Sequence, residues 1–263
     1  MNLSKKSIGY LNYLKHIPLI LISIIWIFPF LWMLSTSLKS HSEVFGAALD
    51  LIPNSLHFDN YVRAWVSTSF NEYFMNSVIL TIVAVIVNLI FTSMAGYALA
   101  RRDFVGKKFF LGLLVASMFI PNGFAIIPLY DLIDKMGLLG TRWALIAVLS
   151  CRVPRIFIML FMGYFAEIPR DLEDAASIDG CGFFRTFFSI MLPIAKPIVA
   201  TVIIFKFLWT WNEFLFSLIF TVNTPSLRTV SVGIYSFMGQ YSVDWTAMAA
   251  ATTMALLPTM LVF

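Results

Sequence analysis

Charged side chains are scarce in this sequence. They make up 12% of its 263 residues, whereas soluble domains average about 25%. Hydrophobic residues supply 60%, and the mean hydropathy is +0.86. This balance excludes an ordinary soluble enzyme, and it also excludes a disordered chain, because disorder requires low hydrophobicity and high net charge. The class that remains is a membrane protein with several spans.

Cysteines and nucleotide-binding patterns are also scarce. Neither Cys151 nor Cys181 belongs to a C-x-x-C or Cys/His spacing, so we expect no disulfide framework and no metal site. The sequence has no G-x-x-x-x-G-K-[ST] loop to hold nucleotide phosphates, and we expect no catalytic residue and no cofactor in this chain. The 18 lysines and arginines are scattered among apolar segments, which argues against a nucleic-acid partner.

Long apolar segments dominate what is present. A bilayer core about 30 Å thick requires roughly 20 apolar residues per helix, and six segments come close to that length or exceed it. The sequence therefore predicts an all-α polytopic membrane protein with one membrane domain over residues 1–263. Pro121 and Pro154 lie inside predicted spans and predict packing kinks. The predicted spans are 17–37, 74–100, 109–130, 143–166, 197–222 and 247–263.

The distribution of lysine and arginine predicts the orientation in the membrane, because basic residues are retained on the cytoplasmic side. Ten of them lie in the N-terminal segment and in the second-to-third and fourth-to-fifth loops. Five lie in the alternate loops, and the other three fall within predicted spans. We therefore expect the N-terminus and the C-terminus to lie in the cytoplasm.

The loop 167–196, between the fourth and fifth predicted spans, has the pattern of two short helices. Pro169 suits a first helical turn, and the acidic residues Asp171, Glu173 and Asp174 favour the positive end of a helix dipole. Gly180 supplies the left-handed residue that commonly ends a helix. The first helix is therefore predicted over 169–179, and a second, rich in phenylalanine, is predicted to follow it.

Within this loop, an acidic residue and two alanines precede a glycine and an Ile-x-Leu-Pro ending at fixed spacing. This pattern resembles the EAA loop of binding-protein-dependent ABC importer permeases. One departure is Asp174, where the family has glutamate, although Glu173 is adjacent. The matching residues are Asp174, Ala175, Ala176, Gly180, Ile190, Leu192 and Pro193.

Further features extend the resemblance over nearly the whole chain. In their order and spacing they are similar to the smaller permease subunit of maltose-type oligosaccharide importers. They are Asn60-Tyr61, Asn76-Ser77, Ala95-Gly-Tyr-Ala-Leu-Ala-Arg101, Ile120-Pro121, Ile127-Pro128 and Trp211-Asn-Glu-Phe214.

The resemblance implies a type I ABC importer permease fold with six transmembrane helices and a cytoplasmic coupling helix. It also implies a complex in the bacterial cytoplasmic membrane, with a second homologous permease subunit, two ATPase subunits and an extracellular solute-binding protein. ATP and Mg²⁺ would bind the ATPases, the substrate would be a sugar, and this chain would catalyse no hydrolysis. Glu173 and the seven matching residues would couple the chain to an ATPase.

Four ionisable residues lie deep within predicted spans, where such residues usually face a cavity or a partner. Arg152 and Arg155 belong to the fourth span, and Lys206 and Glu213 to the fifth. In one interpretation an arginine pairs with Glu213 or with carbonyls freed around Pro154. In the other, these residues contact sugar hydroxyls or an acidic saccharide. The candidates for a translocation pathway are Arg152, Arg155, Lys206, Trp209, Trp211, Asn212 and Glu213.

Two alternatives remain open. An ABC importer permease for glycerol phosphate-type esters would also use buried cations. An ion-coupled secondary transporter acting alone would call for inverted repeats and broken half-helices in both halves. The sequence shows no such repeats, and this alternative leaves the loop motif unexplained.

Overall fold

The computed structural model describes residues 16–46, 50–67, 69–239 and 243–263. Within these ranges the regular elements are helices, apart from one isolated bridge between Met238 and Val243. The predicted all-α class is confirmed. The first seven helices are α1 (His16–Ser37), α2 (His41–Val44), α3 (Asp59–Ser67), α4 (Phe70–Arg101), α5 (Lys107–Ser117), α6 (Ile126–Lys135) and α7 (Arg142–Cys151). The next seven are α8 (Arg155–Glu167), α9 (Asp171–Ile178), α10 (Phe183–Ile194), α11 (Lys196–Trp211), α12 (Leu215–Thr221), α13 (Val230–Tyr235) and α14 (Trp245–Val262).

Candidate membrane spans are of two kinds. In the part of the chain that the structure describes, α1, α4 and α14 are long and apolar enough to cross a membrane without interruption. Two pairs reach that length together across a short break, α7 with α8 at a bend of 49° and α10 with α11 at a bend of 82°. The second bend leads from the loop 167–196 into the fifth predicted span.

Three of the predicted spans are broken, which the sequence did not predict beyond kinks at proline. Pro121 lies between α5 and α6, and Pro154 lies between α7 and α8. Proline lacks the N–H that would continue the helix, and its ring clashes with the preceding turn. The break between α11 and α12 contains no proline and is described with the cavity below. The predicted spans that are divided in this way are 109–130, 143–166 and 197–222.

The described residues form two compact units. The first contains residues up to 70 together with 234–257. In it, the side-chain amide of Asn60 donates to the backbone carbonyl of Ser37 at 2.9 Å, and the hydroxyl oxygens of Ser37 and Tyr61 lie 2.7 Å apart. These hydrogen bonds attach the end of α1 to α3, and they give the Asn60-Tyr61 pair of the sequence a structural role.

The second unit contains residues 71–233 and 258–263, and its apolar core has two parts. One part packs the first half of α4 against α7 and α12, through Leu80, Leu145 and Phe216. The other packs the end of α4 against α8, α10 and α11. Its buried residues are Tyr97, Phe157, Phe161, Phe165, Ile168, Phe187, Met191, Ala195 and Val202.

Helices α4 and α8 approach each other closely at Gly96. A Cβ atom added there would lie 2.5 Å from Cβ of Phe161 and 2.9 Å from the carbonyl oxygen of Ile158. Small residues allow such close approach between membrane helices, where packing rather than the hydrophobic effect drives association. This contact places the next residue, Tyr97, against α8 and the loop 167–196.

Candidate functional site

Gly180 ends the first loop helix as predicted. Its φ is +74°, in the left-handed region that a side chain disfavours. The amide of Gly180 donates to the carbonyl of Ser177 at 3.0 Å, and the amide of Cys181 donates to that of Ala176 at 2.8 Å. This pair of hydrogen bonds is a Schellman motif, which satisfies the last carbonyls of α9. The helix is shorter than the predicted 169–179.

The two faces of α9 have different surroundings. Asp171, Asp174 and Ala175 are exposed, and Ile178 is 87% exposed. Ala176 is buried, and the Glu173 side chain is 20% exposed. An exposed isoleucine beside exposed acids is available to another protein, whereas Ala176 and Glu173 face the rest of this chain.

Glu173 connects α9 to the end of α4. Its Oε1 accepts a hydrogen bond from the hydroxyl of Tyr97, and its Oε2 lies 3.1 Å from Nε of Arg101 in an ion pair. The Arg101 side chain is 5% exposed, and its guanidinium also donates to the carbonyl of Ile168, the residue that follows α8. Arg101, the last residue of α4, therefore contacts both the end of α8 and the loop helix α9.

The other loop residues of the motif lie near the bend into α11. Ile190 and Leu192 are half-buried, and Leu192 packs against the second part of the core. Pro193 is exposed, two residues before Ala195, where the chain turns. The predicted second helix is present as α10, and it contains one π-helical turn at Phe187–Met191.

A cavity of about 1100 Å³ lies where two of the predicted spans are broken. It is lined by residues 151–155, at the junction of α7 and α8, and by residues 212–216, at the junction of α11 and α12. Non-helical backbone at membrane depth is tolerated where it lines a cavity, because its polar groups then find partners. The volume exceeds the range of roughly 300–1,000 Å³ that is usual for small-molecule sites.

An ion pair joins the two breaks. Nη1 of Arg152 lies 2.5 Å from Oε2 of Glu213, and the guanidinium stacks over the ring of Phe216 at 3.8 Å. The other carboxylate oxygen of Glu213 accepts from the amide of Phe216 at 3.0 Å. A carboxylate at the first turn of α12 complements the positive end of its dipole. This cap explains why the third break occurs without a proline.

The positive charge of Lys206 lies at the negative, C-terminal end of α7. Its ammonium donates to the carbonyls of Leu149 at 2.9 Å and Arg152 at 3.3 Å, at the C-terminal end of α7. These are carbonyls that the break near Pro154 leaves without helical partners. Arg152 thus pairs with Glu213, as one interpretation of the sequence expects of an arginine, whereas the contacts of Lys206 with these carbonyls were not predicted.

The remaining pathway candidates divide between the cavity and the core. Arg155, Trp209 and Asn212 line the cavity, and Trp209 is 51% exposed while stacking on a neighbouring phenylalanine at 5.2 Å. Trp211, also a candidate for the pathway, lies in the core instead. Trp211 is 3% exposed and packs against Phe74. Two residues apart on a helix means about 200° of rotation, so Trp209 and Trp211 face opposite sides.

Sequence reasoning missed the partners of these residues. Tyr97 and Arg101 belong to the segment 95–101, and no sequence pattern indicates that Glu173 contacts them. Asn88 was not singled out, yet its buried side-chain amide donates to the carbonyl of Ser150 at 2.6 Å. The signal available for Asn88 was an amide in the middle of an apolar segment.

A family model decides between the remaining classes. The model described as "Binding-protein-dependent transport system inner membrane component" matches residues 89–263. The chain belongs to this family. It is therefore a multi-pass permease of the inner membrane, a transport component and not an enzyme, and it works with an ATPase and a solute-binding protein. The alternative of a secondary transporter acting alone is overturned.

Two curated relatives support the assignment over most of the permease. "Probable ABC transporter permease protein YurM" of Bacillus subtilis is 37% identical over 90% of this chain and 78% of its own. "Diacetylchitobiose uptake system permease protein NgcG" of Streptomyces coelicolor is 36% identical over 95% of this chain and 83% of its own.

A solved structure supports the fold. It is described as a bacterial ABC transporter involved in the import of the acidic polysaccharide alginate. The match has a TM-score of 0.85 and 21% identity, and it covers 100% of this permease and 97% of the other chain. The predicted importer permease fold is confirmed.

Proposed function

We propose that this permease passes a saccharide through the cavity between the broken helices. The observation that carries the proposal is the cavity itself, about 1100 Å³ and lined by Arg155, Trp209 and Asn212. An exposed aromatic face and polar side chains suit the faces and hydroxyls of a sugar. Two similar proteins, one described by uptake of diacetylchitobiose and the other by import of alginate, support the same substrate class.

The proposed complex contains a second homologous permease subunit, two ATPase subunits and an extracellular solute-binding protein. Both termini of the permease lie in the cytoplasm, as the ten-to-five distribution of basic residues predicts. This orientation places the loop 167–196 on the side of the ATPases. The exposed face of α9, with Asp174 and Ile178, docks on one ATPase.

ATP binding would close the ATPase dimer and move α9 as a rigid body. The loop keeps the helix rigid because Gly180 ends it in a fixed geometry and Glu173 attaches it to Tyr97 and Arg101. Movement of packed helices between two discrete arrangements is the common form of such transitions. ATP and Mg²⁺ belong to the ATPases.

An acidic saccharide is the second candidate for the substrate, and the charge of the cavity favours it. Arg152, Arg155 and Lys206 face a single acid, Glu213, so the lining carries two more positive charges than negative ones. A glycerol phosphate-type ester would meet the same surplus of positive charge. A substrate anion would be attracted into such a cavity.

Replacing Arg155 by glutamine tests both substrate classes. In vesicles that contain the assembled importer, we expect uptake of neutral oligosaccharides to change little. Uptake of an oligosaccharide of uronic acids should fall about tenfold, the effect of roughly 1.4 kcal/mol. The measurement is initial uptake rate against concentration, with a glycerol phosphodiester as third substrate. Equal effects on both saccharides would overturn the acidic preference, and uptake of the ester alone would overturn the saccharide proposal.

A further inference from the structure

The inward face of α9 makes defined side-chain contacts with the rest of the chain. Glu173 contacts Tyr97 and Arg101, and both of these residues belong to the last two turns of α4. Tyr97 is 1% exposed and packs on the rings of Phe165 and Phe187. A carboxylate held by a hydroxyl and a guanidinium in such surroundings is strongly restrained, because charge-assisted contacts strengthen where water is excluded.

Arg101 extends this restraint to α8. Its donation to the carbonyl of Ile168 places a cation at the C-terminal end of that helix, where the dipole is negative. Displacement of α9 would therefore pull on α4 and on the end of α8 together.

The same helix α4 contacts the end of α7, the helix whose last residues line the cavity. Asn88 donates to the carbonyl of Ser150 in the last turn of α7, two residues before Arg152. Arg152 lies at the break and pairs with Glu213 in the lining of the cavity. Asn88 and Arg101 are 13 residues apart on one helix without an internal proline, a span of about 20 Å at 1.5 Å per residue.

We propose that α4 transmits movement of α9 to the cavity. The Glu173–Arg101 pair attaches the C-terminal end of α4 to α9, and Asn88 attaches the middle of α4 to the end of α7. The proposal rests on the docking of α9 on an ATPase. Glu173 is then a positioning residue that faces α4 rather than the ATPase. The movement would reach the break at residues 152–154 through the carbonyl of Ser150, and it would change how the cavity is exposed.

Cys151 provides a native reporter, since it is exposed and lines the cavity. With Cys181→Ser as background and partner subunits without cysteine, the assembled complex is labelled with a maleimide, with and without ATP plus vanadate. We expect the parent labelling rate to change roughly fivefold or more, the lower bound of ordinary coupling between sites. In Arg101→Gln the ratio of the labelling rates with and without ATP plus vanadate should return to one. In Arg102→Gln, which removes the same charge from the next residue, the parent's ratio should persist.

A double variant tests whether the pair acts as a unit. Arg101→Gln with Glu173→Gln should be no worse than either single variant, because interacting residues have non-additive effects. If Arg101→Gln does not assemble, Asn88→Leu decides the question at the contact between α4 and α7, with the same expected loss of response. If either Arg101→Gln or Asn88→Leu keeps the parent's change in labelling rate, the proposal that α4 transmits the movement is overturned. A parent complex that binds no ATPase would overturn the docking proposal and, with it, the proposal that α4 transmits the movement.

Discussion

Gly180→Val is expected to lower ATP-driven uptake roughly tenfold or more, because a valine cannot adopt the φ of +74° without strain. The left-handed conformation costs a residue with a side chain about 1–2 kcal/mol, and a β-branched residue suffers most. Relief of that strain requires the end of α9 to unwind, which breaks the hydrogen bonds from residues 180 and 181 to Ser177 and Ala176. The measurement is saccharide uptake per ATP hydrolysed in the assembled complex.

Gly180→Asn is the matched control. Asparagine tolerates the left-handed conformation better than other residues with side chains, and no atom within 4 Å would obstruct a Cβ at this position. Uptake should therefore remain close to that of the parent. If Gly180→Val transports with the parent's stoichiometry, the end of α9 is not part of the coupling to ATP.

Arg152→Ala is expected to cause the largest loss of stability. It leaves the Glu213 carboxylate, 15% exposed, without its cationic partner. Breaking a buried ion pair costs roughly 3–5 kcal/mol, and the 29% exposure of the arginine side chain favours the lower end of that range. At 2–4 °C per kcal/mol, the melting temperature of the detergent-purified complex should fall by roughly 6–12 °C.

The double variant Arg152→Met with Glu213→Leu separates loss of the pair from loss of one partner. Apolar residues of similar volume often replace a buried ion pair without loss. The remaining cost should be about 1 kcal/mol, because the amide of Phe216 loses the cap that Glu213 provides. If Arg152→Ala melts at the parent temperature, the ion pair does not hold the two breaks together.

The sequence predicted features that depend on neighbouring residues and missed those that depend on tertiary contacts. The role of Gly180 and the presence of the loop helices followed from local rules for helix caps and helix-breaking residues. Pro121 and Pro154 indicated kinks, but only the folded chain reveals that the helices separate there. The break at residues 212–214 has no local signal, since it depends on Glu213 capping α12 and on Arg152, 61 positions away.

The same distinction applies to the functional residues. Lys206 and Glu213 are unusual charges in apolar segments, and both line the cavity, whereas Trp211 is an aromatic residue that lies beside them only in the sequence. Helix geometry placed it on the opposite face, in the core. The contact of Glu173 with Arg101, across 72 positions of sequence, lay beyond any pattern, although the segment 95–101 indicated that the end of α4 mattered.

Uptake into proteoliposomes that contain the assembled complex tests the central claim most directly. The vesicles hold ATP and Mg²⁺ inside and a saccharide with its solute-binding protein outside, and both ion gradients and ATP are varied. The account predicts that uptake requires ATP together with the binding protein, and that it is indifferent to ion gradients. Uptake that follows an ion gradient without ATP would contradict it.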